Sequence, residues 1–163
     1  MSPADAAALP NLGEIIGPIL QRLAPEQQAL LIAVAERLAA VRYRDWAEQS
    51  AKPADRSQLL ACAAREEEIA QRVEAMYPGA ADIQRTILAT NPDLEAVNRN
   101  IFAGRSLTEQ FAIQAQGERL GAATWRAFAH RPSSAAHEAV FLACADLEEQ
   151  SARVLEALLS AVK

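Results

Sequence analysis

Apolar residues recur at helical spacing along almost the whole chain. Leu12, Ile15, Ile16, Ile19, Leu20 and Leu23 share one face of residues 11–23, which predicts an amphipathic N-terminal helix docked on the body of the protein or on a second subunit. A long helix is expected from about Pro25 to Ser50, with Pro25 tolerated in a first turn whose amide protons lack partners. A break at 50–53 carries Ser50 and Pro53, and a second helix follows from about Ala54 to Tyr77. Two shorter helical patterns, around 82–89 and 93–102, are separated by Asn91-Pro92. Ser106 and Glu109 form the S-x-x-E signature of a helix start, opening a third long helix that ends near His130. After Pro132 to Ser134 a fourth long helix runs to about Val162.

The four long segments are two copies of one unit. Residues 36–76 lie over residues 118–158 at a constant offset of 82, without a gap. Glu36-Arg37-Leu38 recurs as Glu118-Arg119-Leu120, Leu60-Ala61-Cys62-Ala63 as Leu142-Ala143-Cys144-Ala145, and Glu66-Glu67 as Glu148-Glu149. Ala70 and Glu74-Ala75 return as Ala152 and Glu156-Ala157, and upstream Gln28 and Ala33 return as Gln110 and Ala115. The chain therefore divides into an N-terminal helix over 11–23, a helical hairpin over 25–77, a crossover over 78–105 and a second hairpin over 106–162, all in one domain.

Composition agrees with helices. Hydrophobic residues make up 51% of the chain but aromatics only 5%, so the apolar content is mostly Ala, Leu, Val and Ile. A net charge of −5 supplies no basic surface for a phosphate backbone, which argues against nucleic-acid binding. The longest apolar run, 29–35, is far short of the roughly 20 residues that cross a bilayer, and the first ten residues carry no apolar leader pattern. Two cysteines without such a leader read as thiols in a reducing cytoplasm.

Candidate chemistry sits in the apolar stripes. Residues at i±3, i±4 and i±7 share a helix face. Glu66 has Leu59, Cys62, Ala63, Ile69, Ala70 and Val73 there, and Glu148 has Phe141, Cys144, Ala145, Ser151, Ala152 and Leu155. Glu36 lies among Ala29, Ile32, Ala33, Ala39, Ala40 and Tyr43, and Glu118 among Phe111, Gln114, Ala115, Gly121, Ala122 and Trp125. Each glutamate is the one charge in its stripe, whereas Glu67, Glu68 and Glu149 fall on the polar side. Glu36 to Glu66 and Glu118 to Glu148 are both 30 residues apart, so each hairpin brings its pair to similar depth and the repeat brings all four toward one level. Converging buried carboxylates need compensation by divalent cations, by protonation, or by arginine and amide partners. The small residues beside them, Gly121 included, leave room for an ion or a small ligand.

With these residues, the chain from about Pro25 onward resembles the ferritin-like superfamily, in particular its rubrerythrin-like branch. The resemblance implies an all-α four-helix bundle of two hairpins joined by a long crossover. It also implies a carboxylate-bridged di-iron or di-manganese centre, built from a single Glu and an E-x-x-H in each half. The single glutamates map to Glu36 and Glu118, and the first position of each E-x-x-H to Glu66 and Glu148. Ile69 and Ser151 stand where the histidines would be. A pure carboxylate set suits Mg, Ca or Mn better than iron. Two functions follow as expectations. One is a central four-glutamate site taking a divalent metal, Fe or Mn, or a small ligand, which as an enzyme would be a di-metal carboxylate oxidoreductase. The other is a metal-free structural or interaction bundle.

The remaining signals have ordinary readings. Cys62 and Cys144 read as small buried hydrophobes, Tyr43 and Trp125 as core, and His130 and His137 as surface or capping residues flanking the turn between the third and fourth long helices, about three turns from the glutamates. Leu31, Val34, Leu38 and Val41 form a second apolar side on the first long helix, which predicts a homodimer unless the N-terminal helix covers it. No phosphate-loop, C-x-x-C or G-x-S-x-G signature appears.

Overall fold

The computed structural model describes residues 8–131 and 134–162. Residues 1–7, within the stretch read for a leader, and Pro132 and Ser133, within the break before the last helix, lie outside the described residues.

The described residues are all-helical, with no strand among them. In chain order the helices are α1 (Leu12–Gln21), α2 (Pro25–Gln49), α3 (Pro53–Met76), α4 (Ala80–Thr90), α5 (Leu94–Phe102), α6 (Leu107–Ala129) and α7 (Ala135–Ser160). Their ends have local causes. Pro25 and Pro53 occupy first turns, where no amide hydrogen bond is lost. Gly79 adopts a left-handed φ of 73°, turning the chain from α3 into α4 at a conformation that a side chain disfavours. The Ser106 hydroxyl accepts from the Glu109 amide at 3.3 Å while the Glu109 carboxylate accepts from the Ser106 amide at 2.8 Å, so the predicted capping box is present. Ser134 caps α7 in the simpler way, accepting from the His137 amide.

The closest packing is α2 on α3 and α6 on α7, followed by α3 on α7; α4 lies against α2 and α3, and α1 and α5 against α6. Between α2 and α6 the link is made by long side chains. Arg42 donates to Gln114 at 2.7 Å, Tyr43 to Glu118 at 2.6 Å and Trp46 to Gln110 at 3.0 Å.

The apolar core is in two parts. One gathers Ile69, Val73, Trp125, Phe128 and Phe141 with several alanines; the other gathers Tyr43, Trp46, Leu59, Cys62 and Leu155. On each long helix the sequence-singled glutamate falls between members of one part and members of the other. The order in which each helix visits the two parts makes α2 antiparallel to α3 and α6 antiparallel to α7, and makes α3 parallel to α6. The 78–105 segment therefore returns the chain along the length of the long helices before α6 begins.

Contacts repeat at the sequence offset. Arg37 bridges to Glu74 as Arg119 bridges to Glu156, both bidentate. The Gln28 amide donates to the Leu23 carbonyl as the Gln110 amide donates to the Arg105 carbonyl.

The cap of α6 fixes where the crossover ends. Ser106→Ala removes it and is expected to lower unfolding free energy by about 1 kcal/mol, read by urea denaturation with the helical signal of the folded state unchanged.

Candidate metal centre

All four glutamates singled out by the sequence are buried. Glu66, Glu118 and Glu148 are 0%, 1% and 2% exposed, and Glu36 is 8% exposed. One oxygen from each of Glu36, Glu66 and Glu148 lies within 4.8 Å of the other two. Glu118 is outside that compact set but adjacent to it. Glu36 is in hydrogen-bonding reach of Glu66 and Glu148, and Glu148 of Glu118, so Glu118 adjoins the compact set.

Their partners come from other helices. Ser151 Oγ donates to Glu66 Oε1 at 2.9 Å, Trp125 Nε1 to Glu148 Oε1 at 2.9 Å, and Tyr43 Oη and Gln114 Nε2 to Glu118 Oε1 at 2.6 and 2.8 Å. Glu66 Oε2 and Glu118 Oε2 are buried with no partner at all. Glu36 accepts no hydrogen bond from another residue type among the described residues, and none of the four belongs to an ion pair there.

Gly121 makes room for this layer. A β-carbon on Gly121 would lie 2.7 Å from Glu148 Cδ and 3.0 Å from Oε2, closer than packed atoms approach. The matching position in the first repeat is Ala39, which carries the β-carbon that Gly121 lacks, so the two halves differ where Glu148 leans across.

Burial and mutual repulsion act together on the acids. Withdrawal from water raises Glu36 from 4.5 to about 7, with the nearby Glu118 charge adding to the rise and contact with Glu66 opposing it. Desolvation also pushes Glu66 and Glu148 well above the usual carboxylate range, and the charges of the neighbouring glutamates push them further. The Tyr43 hydroxyl is raised by burial as well, so it stays protonated and donates to Glu118. Burial raises Cys62 and pushes Cys144 up to about 12, keeping both as thiols at neutral pH; neither adds a thiolate to the site.

The donor set is oxygen only, and it suits one ion type better than another. Hard divalent cations hold oxygens at about 2.0–2.6 Å, so two oxygens on one ion stand no more than about 5 Å apart. Glu36, Glu66 and Glu148 meet that limit, and the orphaned oxygen of Glu66 is a ligand atom left without another use. An E-x-x-H centre does not fit. Ile69 is core, and the Ser151 hydroxyl is spent on Glu66.

His130 caps the end of α6 on the surface, and His137 packs at a steep angle between the rings of Tyr77 and Phe141, so neither is among the residues gathered at the site. Tyr43 and Trp125 are core residues, as their helical spacing predicts, and each also donates to a carboxyl group. A signal for part of this was present, since Gln114 shares a face with Glu118. The Ser151 and Trp125 contacts had none, because they cross between helices or join residues whose directions depend on packing.

Comparison with protein-family models, with curated proteins and with solved structures finds no match to this chain.

A pH dependence follows for metal-free protein. Glu36 has a folded pKa above its unfolded value, so the folded state binds the extra proton; stability is full below about 4.5 and is lost as pH rises toward about 7. Glu66 and Glu148 shift in the same direction. The Glu36 shift alone corresponds to roughly 3 kcal/mol. Chelator-treated protein is expected to unfold at lower denaturant concentration at pH 8 than at pH 5, and Glu36→Gln is expected to flatten that slope.

Proposed function

We propose that this chain is a ferritin-like four-helix bundle of two repeated hairpins, α2–α3 and α6–α7, whose central carboxylate layer binds a divalent metal ion. The observation that carries the reading is the meeting of Glu36, Glu66 and Glu148 oxygens within 4.8 Å, buried and in no ion pair among the described residues. The antiparallel hairpins, the lengthwise crossover and the contacts repeated at an offset of 82 residues support the bundle. Unpartnered Glu118 Oε2 supplies a further oxygen beside the set.

The metal class follows from the ligands. Carboxylates without imidazole or thiolate favour Mn, Mg or Ca over iron, and Mn is the member shared with the ferritin-like expectation. Glu36, Glu66 and Glu148 would hold the ion, Ser151 and Trp125 would fix the directions of Glu66 and Glu148, and Glu118 would be steadied by Tyr43 and Gln114. The ion would supply Lewis acidity and, for Mn, redox capacity. The buried Ile69 and the engaged Ser151 favour the second reading, a metal-free structural bundle, over oxidoreductase chemistry.

Titration of chelator-treated protein with Mn²⁺, followed by loss of the free-ion EPR signal, distinguishes the readings. Saturable binding with a rise in Tm, abolished by Glu66→Gln, is expected. Absence of binding, with Glu66→Gln and Glu148→Gln as stable as the parent or more so, means a bundle without a metal, since removal of buried charge then only relieves repulsion.

Gly121→Ala tests the geometry of the layer. Alanine is favoured over glycine in a helix by about 1 kcal/mol, yet its β-carbon would displace the Glu148 carboxylate. The expected result is at least tenfold weaker Mn²⁺ binding without unfolding, measured by the same titration.

A further inference from the structure

A cleft of about 730 Å³ opens between α2 and α6 under the cover of α1 and α5, within the range of about 300–1,000 Å³ typical of small-molecule sites. Ile16, Leu20, Leu31, Val34, Leu38 and Ile101 are among its walls, and it reaches inward to Glu36 and Glu148. Arg42 and Trp46 span from α2 to α6, and on α1 a β-carbon at Gly17 would meet nothing within 4 Å. The second apolar side of α2 is thus left partly uncovered, with Leu38 40% exposed.

Charge selects the occupant. Four ionisable residues line the cleft: Glu36, Arg42, Glu95 and Glu148. Glu95 pairs with Arg99. Arg42 donates to Gln114 and Asn98 and lies over the Phe102 ring at 3.8 Å, so its guanidinium is already engaged. Neither Glu36 nor Glu148 is in an ion pair among the described residues, and Glu36, more than nine-tenths buried, has only the other carboxyls as hydrogen-bond partners there, with the Arg42 charge acting on it from α2. An anionic head group would meet a guanidinium whose donors are already spent on Gln114 and Asn98, and two carboxyls to oppose it.

We propose that the cleft binds an organic cation carrying an apolar chain, the chain lying along α2 and α1 and the positive head at Glu36 and Glu148. The site uses two of the carboxylates assigned above to the metal, but it does not require that a metal bind. Ion and organic cation would exclude one another at the inner end.

Isothermal titration of chelator-treated protein with dodecylammonium, dodecanoate and butylammonium tests this, with Mn²⁺ titrated separately into the same preparation. Dodecylammonium is expected to bind one to one, at least tenfold tighter than either of the others, and more weakly when Mn²⁺ is present. Gly17→Leu fills the cleft from a helical position with open space and should weaken dodecylammonium at least tenfold while leaving Mn²⁺ binding unchanged. Equal binding of dodecylammonium and dodecanoate, or dodecylammonium binding that survives Gly17→Leu, overturns the proposal, since either is adsorption to an acidic or apolar surface. A stable dimer in light scattering that reverts to monomer on Leu38→Glu also overturns it, because a second copy then covers the cleft. Mn²⁺ binding without amine binding sinks only the cleft ligand, and amine binding without Mn²⁺ binding sinks only the metal.

Discussion

Carboxyl groups removed from water on four different helices, with Arg42 the one cation felt there and none of the four in an ion pair among the described residues, are the constraint around which the rest of this structure is arranged. Each ionised carboxylate in such a place is costly, and neighbours of like charge raise the cost. The folded chain answers partially: single hydrogen bonds from Ser151 and Trp125, two donors on one oxygen of Glu118, and a raised proton affinity for Glu36, Glu66 and Glu148. Two oxygens remain without any partner. A layer left incomplete in this way is a poor device for stability alone, and three of its oxygens stand close enough together to hold a metal ion.

The layer also explains the shape of the core. It separates two apolar clusters, one aromatic around Trp125, Phe128 and Phe141, the other around Tyr43, Trp46 and Leu59. Tyr43 and Trp125 stand 82 positions apart, at the offset of the sequence repeat, and each turns a polar edge from its cluster toward one oxygen of a glutamate, so a large apolar side chain borders the layer and still supplies it a donor. Gly121 gives the layer its asymmetry, because Glu148 occupies the volume that Ala39 fills with a methyl group in the other half.

Much of this was legible in the sequence, for identifiable reasons. Helix ends were marked by Pro25, Pro53 and the Ser106–Glu109 pair, all local effects. The buried position of the four glutamates followed from their apolar neighbours at helical spacing, and the repeat put them at a common depth. What stayed hidden depends on distances between helices. The split into a compact set of three and a neighbouring Glu118 turns on how Tyr43 and Gln114 draw that carboxylate aside. The partner of Glu66 is Ser151, 85 residues away, at a position whose only sequence reading was a missing histidine. The cleft was foreshadowed by the second apolar side of α2, but its depth comes from the spacing between α2 and α6, which periodicity along one helix does not encode.

The central claim is that a cation belongs among these carboxylates, and anomalous diffraction from crystals grown with Mn²⁺ addresses it most directly. A peak at the manganese edge bounded by Glu36, Glu66 and Glu148 is the expected result. An interior without anomalous signal, in crystals whose surface acidic groups do bind the ion, would contradict it.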